Sequence, residues 1–543
     1  MIKRNIYLSF LESKTLVYLT LFFVAIFVVA KSHLAYFIFH DLNMPVMDGV
    51  MYEQRQIYGF TKFEGNFSLI NRLNQLYYEF IRNPVSAGFN CMVGAIKPSW
   101  LQNDNDILLR AFLSVILFIV FLYKYLRMRV SKVASVLTII LFFEFPFFYN
   151  YRFGLVSYIP ELTSGLFLFS GYLSLLFFRQ QKRGLYLFLG IILLFLSTLS
   201  RYNFFIYTGG VVLPFLYTVF SFLKDGNLKR RFFFIGLMMA LIGYVVFYGY
   251  FHYDYFYNYY FPKYPYSEHS YSLAFESITK FYFRDIGVLT LPVIVSIFLL
   301  VNTNKNAKKS RWSYVHFLFL NGFFLALILL YVKATNTPHV YAMLSLFLIV
   351  LFMVPADIIS KKMNANRARV VYIFAFLVIL ITNLDYYHRI EAFENPDPMY
   401  KGQRAVVDHI QGMNYQSQEF NYFAGFDEFI GVNMDVELYR RTKHFVNTKN
   451  HFFQRNSGFY SIDENLNFDN LLTYYLNNIE ENDYELIVLS GGNNQSFITC
   501  ELAQRVADGI RSSVMKNRDY QKVKELTNDH YGSLIFYEKV QRE

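Results

Sequence analysis

The chain has 543 residues, of which 55% are hydrophobic, 20% aromatic and only 17% charged, and its mean hydropathy is +0.26. Neither a disordered chain nor an ordinary soluble enzyme carries that balance. A formal charge of +11 would point to nucleic acid if Lys and Arg formed one stripe. They gather instead in short links between apolar runs, as the positive-inside bias of membrane proteins requires, so no nucleic-acid partner is expected. The 2 cysteines, Cys91 and Cys500, exclude a disulfide framework and argue against a cysteine zinc cluster.

Runs long enough to cross about 30 Å of hydrocarbon predict about eleven transmembrane helices. They cover residues 15–33, 107–125, 134–148, 159–178, 185–199, 204–223, 232–251, 286–301, 315–332, 340–359 and 370–384. Alternate links are basic: Lys3, Arg4 and Lys14; Lys124, Arg127, Arg129 and Lys132; Arg179, Lys182 and Arg183; Lys224, Lys229, Arg230 and Arg231. The pattern continues with Lys305, Lys308, Lys309 and Arg311, then Lys361, Lys362, Arg367 and Arg369. An odd number of crossings puts all of them on the cytoplasmic side, with the amino terminus inside and the carboxy terminus outside. The first run lacks a small-residue cleavage site and reads as an uncleaved anchor. The expected location is therefore a multi-pass place in a bacterial inner (cell) membrane.

The predicted fold class is a polytopic α-helical membrane protein with a carboxy-terminal extracytoplasmic α/β domain. Residues 1–388 form the membrane domain, with a first outer loop at 40–106, and residues 389–543 form the soluble domain. Within the loop, apolar spacing over 69–81 fits a helix lying in the interface or a small packed cap. The tail alternates helix-like stretches (403–412, 468–481, 496–515) with short strands (419–423, 484–489, 533–537), the pattern of an α/β unit. Ser490-Gly491-Gly492-Asn493-Asn494 joins a strand to a helix and can bind an anion through its amides or serve as a plain connecting turn. Asn494-Gln495-Ser496 formally matches a glycosylation acceptor. The Tyr-rich stretch 252–271 fits an interfacial aromatic belt or a surface for sugar rings.

Ionisable groups in or beside membrane spans are costly and mark functional candidates. The clearest cluster follows the first span: Asp41, Asp48 and Glu53, with Tyr52 and Arg55 between and after them. Carboxylates placed there can take a proton from a sugar hydroxyl or hold a divalent ion against a phosphate, and Asp48 can alternatively cap a helix. Glu144 lies within the third span beside Pro146, with Arg110 or Arg152 as candidate structural partners.

In its anchor helix, long first outer loop with an early acidic residue, many further spans and outer α/β tail, the chain resembles the GT-C superfamily of polytopic glycosyltransferases. That group includes the protein mannosyltransferases and the lipid A aminoarabinose transferases. The resemblance implies that an Asp of the first outer loop acts as base or site organiser, which falls by position on Asp48 with Glu53 close by. Many relatives carry Asp-Glu where this chain has Asp48-Gly49, so Asp41, Asp48 and Glu53 all stay open for the role. A second acidic site in the next outer loop falls near Tyr151, Arg152 and Glu161.

A polyprenyl-phosphate sugar donor needs positive groups at outer span ends to stabilise its leaving phosphate. Arg201, Arg284, Lys333 and His339 stand at such positions, with Tyr52 as a further substrate contact; snorkelling is the other account of Arg201. Similar families often carry an Arg-Tyr pair where this chain has His339-Val340-Tyr341. The implied activity is inverting transfer of a sugar to a glycan, lipid or protein acceptor, among membrane lipids, with either no cofactor or a divalent cation (Mg or Mn). Two other classes fit a basic, aromatic, multi-spanning chain: an O-antigen-type polymerase or ligase, and a transporter or flippase for a lipid-linked substrate.

Overall fold

A computed structural model describes residues 14–42, 88–97, 105–128, 132–144, 146–149, 154–157, 160–201, 204–212, 215–224 and 227–251 of the apolar part. In the tail it describes 398–413, 422–427, 451–452, 468–491, 501–528 and 532–540, with isolated positions besides. The chain divides into two compact units, Met1–Phe37 with Gln56–Ile390 and Ile38–Arg55 with Glu391–Glu543.

The described helices of the first part are α1 (Lys14–Leu42), α2 (Gly88–Ile96), α3 (Asn105–Arg127), α4 (Lys132–Phe143), α5 (Glu161–Gln181), α6 (Gly184–Ser200), α7 (Phe204–Val212), α8 (Leu216–Lys224) and α9 (Leu228–Phe251). Among the described residues three stretches are long and apolar enough to cross a membrane: Thr15–Tyr36 in α1, Asn105–Arg127 and Glu161–Gln181. The apolar α6 and the Arg231–Tyr244 stretch of α9 are shorter. The spans expected at 286–301, 315–332, 340–359 and 370–384, and most of the 69–81 segment, lie outside the described residues.

Two expected spans are corrected by proline. The third, over 134–148, ends as a helix at Phe143 and continues as a 3-10 turn over Pro146–Tyr149. Pro146 has no N–H to donate and disfavours helical backbone in the residue before it. The sixth, over 204–223, is divided into α7 and α8 on either side of Pro214.

Among the described spans, helix α5 is the most covered, buried along its whole apolar length. Its sequence is accordingly rich in small residues, which let helix backbones approach where hydrocarbon gives no hydrophobic drive. It forms a hairpin with α6 through Lys182, whose φ of 49° is left-handed and whose N–H caps the Phe178 carbonyl. A Cβ on Gly171 would stand 2.9 Å from Leu194, and one on Gly190 would stand 3.0 Å from Leu175. Polar rungs flank this contact: Ser197 Oγ donates to the Ser164 carbonyl (2.8 Å) and Ser174 Oγ to the Tyr186 carbonyl (2.7 Å).

The tail unit holds α10 (Pro398–Gly412), β1 (Tyr422–Asp427), β2 (His451–Phe452), α11 (Phe468–Asn482), β3 (Leu486–Gly491), α12 (Glu501–Lys516), β4 (Tyr520–Asn528) and β5 (Gly532–Lys539). The sheet order is β2-β1-β3-β5-β4, with β2, β1 and β3 parallel and the β3–β5 and β5–β4 pairs antiparallel. Leu486 to Leu489 in β3 and Leu534 to Tyr537 in β5 are all buried. Consecutive strand residues point to opposite faces, so both faces of the sheet are covered. Phe423, Ile487 and Tyr537 share one face by register, and Phe423 meets Tyr475 of α11; Val488 and Phe536 share the other, and Phe536 meets His409 of α10. Strand β4 was not expected from the sequence, because its Lys522, Lys524 and Glu525 obscure the alternation of an edge strand.

Candidate functional site

The helices of the first unit have two chemically different ends. In α3, Asp106 lies in the first turn and Lys124 and Arg127 in the last; in α5, Glu161 opens the helix and Arg179 lies in its last turn. Acid and base are about 27 Å apart in each helix at about 1.5 Å rise per residue, close to the thickness of a hydrocarbon layer of about 30 Å. Contacts bring the basic ends together. Tyr18 of α1 meets Tyr123 of α3, Lys124 bonds the Tyr186 hydroxyl, and Phe178 of α5 packs on Phe222 of α8.

At the other end, charged side chains turn inward. Helix α5 starts after Pro160, whose carbonyl accepts from the Ser164 N–H (2.8 Å) and the Thr163 hydroxyl (2.9 Å). Glu161 thus stands at the first helical position, where the helix dipole favours a carboxylate. Arg201 is the C-cap of α6. The hairpin brings the two together across some forty residues of sequence: Arg201 Nε lies 2.9 Å from Glu161 Oε1, with side chains 10% and 7% exposed. Snorkelling is therefore the wrong account of Arg201, whose guanidinium points into the bundle at Glu161. The Ser164–Ser197 hydrogen bond lies one turn below, locking both partners in register.

A second buried network lies beside it. Asn90 Nδ2 of α2 donates to Asp106 Oδ2 (2.7 Å), and Arg110 donates through Nη1 to Asn90 Oδ1 (2.7 Å) and through Nη2 to the Ser157 carbonyl (2.6 Å). Asn90 and Arg110 have no exposed surface, and Asp106 is 1% exposed. Asp106 and Arg110 are four residues apart and share one face of α3, so a single helix turn presents both charges. Ser157 lies four residues before Glu161, which ties this network to the start of α5.

A further ion pair joins α1 to the end of α4: Lys31 Nζ lies 3.0 Å from Glu144 Oε2, a partner not expected from the sequence, while Arg152 lies outside the described residues. Lys31 also lies 3.9 Å from the centroid of the Tyr149 ring. Next to it Ser32 Oγ donates to the Phe148 carbonyl and accepts from the Val156 N–H, both at 3.1 Å. Together these contacts fasten α1 to the segment that follows the break at Pro146.

Of the residues expected at a site, Glu161 and Arg201 are brought together. Asp48, Tyr52, Glu53, Arg284, Lys333 and His339 lie outside the described residues, and Asp41 is described only as part of the α1 backbone. Among the described residues no group of three His, Cys, Asp or Glu side chains could hold a metal ion. In the tail, Ser490 and Gly491 end β3, while 492–500 lie outside the described residues.

Sequence reading missed the Asp106–Asn90–Arg110 network. Its signal was an acid and an Arg four positions apart at the start of an apolar run, a costly placement unless both are satisfied inside. Helix α2, which supplies Asn90, was missed with it. No protein-family model matches the chain, and no curated protein matches it.

Proposed function

We propose that the protein is a multi-span membrane glycosyltransferase of the GT-C kind. It would transfer a sugar, with inversion, from a polyprenyl-phosphate donor to a glycan, lipid or protein acceptor on the outer face of a bacterial inner membrane. The observation that carries this reading is the buried Glu161–Arg201 pair at the end of the helices opposite their basic termini. A cation held there, away from the side where membrane proteins concentrate positive charge, is suited to a lipid phosphate at the far boundary.

In this reading about eleven crossings put the amino terminus in the cytoplasm and the α/β tail outside. Asp48 takes the proton of the acceptor hydroxyl while its oxygen attacks the anomeric carbon, and the bond from that carbon to the phosphate oxygen breaks. The electron pair leaves with the lipid phosphate, whose charge is met by Arg201 together with Arg284, Lys333 and His339. Glu161 orients the guanidinium of Arg201. A divalent cation, if one takes part, belongs with Asp41, Asp48 or Glu53; loss of transfer on chelation, restored by Mg or Mn, checks that assignment.

The test uses the full chain in lipid nanodiscs with polyprenyl-phosphate sugars as donors. Transfer by the wild type and its loss in Asp48→Asn and Arg201→Met, both still folded, is the expected result. Unchanged turnover in folded Asp48→Asn removes that residue as base. A second reading, transport of a lipid-linked substrate, draws on the division of the 204–223 run into α7 and α8, since broken helices build transporter sites. Donor flux across proteoliposomes without sugar transfer would favour it.

A further inference from the structure

Arg110 is a fully buried cation for which the proposed reaction has no use, and its contacts reach three separate pieces of chain. One Nη group holds Asn90 of α2, the other holds the Ser157 carbonyl, and the residue itself belongs to α3. Asn90 is a relay, since its amide donates to Asp106 while its carbonyl accepts from Arg110. A buried guanidinium with a nearby carboxylate is stable only when its geometry is closely satisfied, so the three pieces are fixed together or not at all. One of them leads to the candidate site: Ser157 lies four residues before Glu161, whose partner is Arg201.

We infer that Arg110, with Asp106 and Asn90, is the positioning unit of the site, holding α2 and the 154–157 segment to α3 so that the Glu161–Arg201 pair keeps a fixed place. The inference rests on the glycosyltransferase reading for its effect on turnover but not for the coupling itself. Arg110 touches no reacting atom, and its role is carried through Ser157 to Glu161. Lys cannot replace it, because a single ammonium on a flexible stem does not present the planar fork that reaches both acceptors.

The experiment compares wild type, Arg110→Met, Arg110→Lys and Asn90→Ala as full chains in nanodiscs. Asn90→Ala keeps both charges and serves where Arg110→Met fails to fold. The first readout is amide hydrogen exchange over 88–97 and 154–161. Faster exchange in both segments together, in Asn90→Ala or Arg110→Met, is expected; unchanged exchange in the folded variants overturns the coupling. In the transfer assay kcat should fall about 10–100-fold with little change in the donor KM, as for a misplaced rather than missing group. Arg110→Lys should recover at most part of the loss. Wild-type kcat in variants whose two segments exchange faster would overturn the positioning role and leave the network purely structural. If the wild type transfers no sugar from any polyprenyl-phosphate donor, the proposed function fails, and the exchange comparison by itself supports or overturns the coupling.

Discussion

Among the described residues, the most buried charged groups lie in the helical unit and the most open ion pairs in the α/β unit. In the helical unit, Arg201 and Glu161 pair with side chains 10% and 7% exposed, and Arg110 and Asp106 are more deeply buried still. In the α/β unit, Lys522 and Glu525 pair with side chains 48% and 38% exposed, and Lys539 reaches Asp483 at a similarly open place. Water screens the second kind of pair and cannot screen the first. Pairing is therefore structural at the most buried of these positions and nearly silent at the most open ones, and this contrast can be broken experimentally.

The largest effect is expected from Arg110→Met. It removes the donors that meet the buried Asn90 amide oxygen and the Ser157 carbonyl and should lower unfolding stability by about 1–3 kcal/mol for each acceptor left unmet, measured by thermal or denaturant unfolding in detergent. The double variant Asn90→Leu with Arg110→Met should recover part of that loss, because replacing both partners of a hydrogen bond by apolar groups can be nearly neutral. A double variant no more stable than the single one would mean that the Ser157 carbonyl and Asp106, which also loses its Asn90 donor, decide the stability.

Packing offers the next contrast. A methyl group added at Gly171 or at Gly509 would stand 2.9 Å from a leucine, Leu194 in the helical unit and Leu472 in the α/β unit. Leu194 is fully buried between helices, whereas Leu472 is only partly buried and can swing outward. Gly171→Ala should cost about 1–3 kcal/mol by overpacking, with Gly509→Ala below that range. Equal costs would show that the α11–α12 contact is as tightly constrained as the α5–α6 hairpin.

In the α/β unit, His409 supplies a smaller, pH-dependent effect. Its ring packs on Phe536 at 4.6 Å, and its Nε2 lies 3.3 Å from Glu538 Oε1. Burial first, and then the Lys524 ammonium, hold its pKa below the usual histidine value, while Glu538 pulls the other way. The folded state resists protonation more than the unfolded chain, so this contribution is complete above about pH 6.5 and declines as the pH falls from there toward the folded pKa. The unfolding midpoint of the tail unit should be lower at pH 5 than at pH 7.5, and His409→Gln should reduce that difference. A pH response unchanged by the substitution would assign it to other groups. Tyr520 does not contribute, because burial and the Asp483 and Asp519 carboxylates push its pKa up to about 12.

Much of the helical unit was legible because apolar length alone marks α1, α3 and α5, and the structure places them within a few residues of expectation. Composition alone does not register the helix ends at Phe143 and Val212, since the apolar runs continue past both. In the tail, β3 and β5 were legible from their apolar runs, and β4 was not because an edge strand need bury only one face. At the site, Glu161 and Arg201 were each legible as misplaced charges, but their pairing depends on how the α5–α6 hairpin folds back. Asn90 carried no signal, for a lone Asn in a nine-residue helix becomes meaningful only when Asp106 and Arg110 flank it in space.

The smallest effect is expected at Lys522 and Glu525, and the reason lies in a bulge. The register shift between Lys522 and Lys524 leaves Val523 as the extra residue, so Lys522 faces Tyr537 and Glu525 faces Ile535 on the same side of the sheet. Residues three apart in a regular strand would point to opposite faces; here the bulge brings ammonium and carboxylate together. The ammonium holds the Glu525 carboxyl below the usual carboxylate range, and the carboxylate raises Lys522 in return. Both groups are nevertheless open to solvent, where ion pairs contribute little and salt weakens them further. Lys522→Ala should leave the unfolding midpoint of the tail unit unchanged at low and at high salt. A loss as large as that of Gly171→Ala would mean that the pair fixes the bulge and, through it, the register of the edge strand, and the contrast between the most buried and the most open pairs would no longer hold.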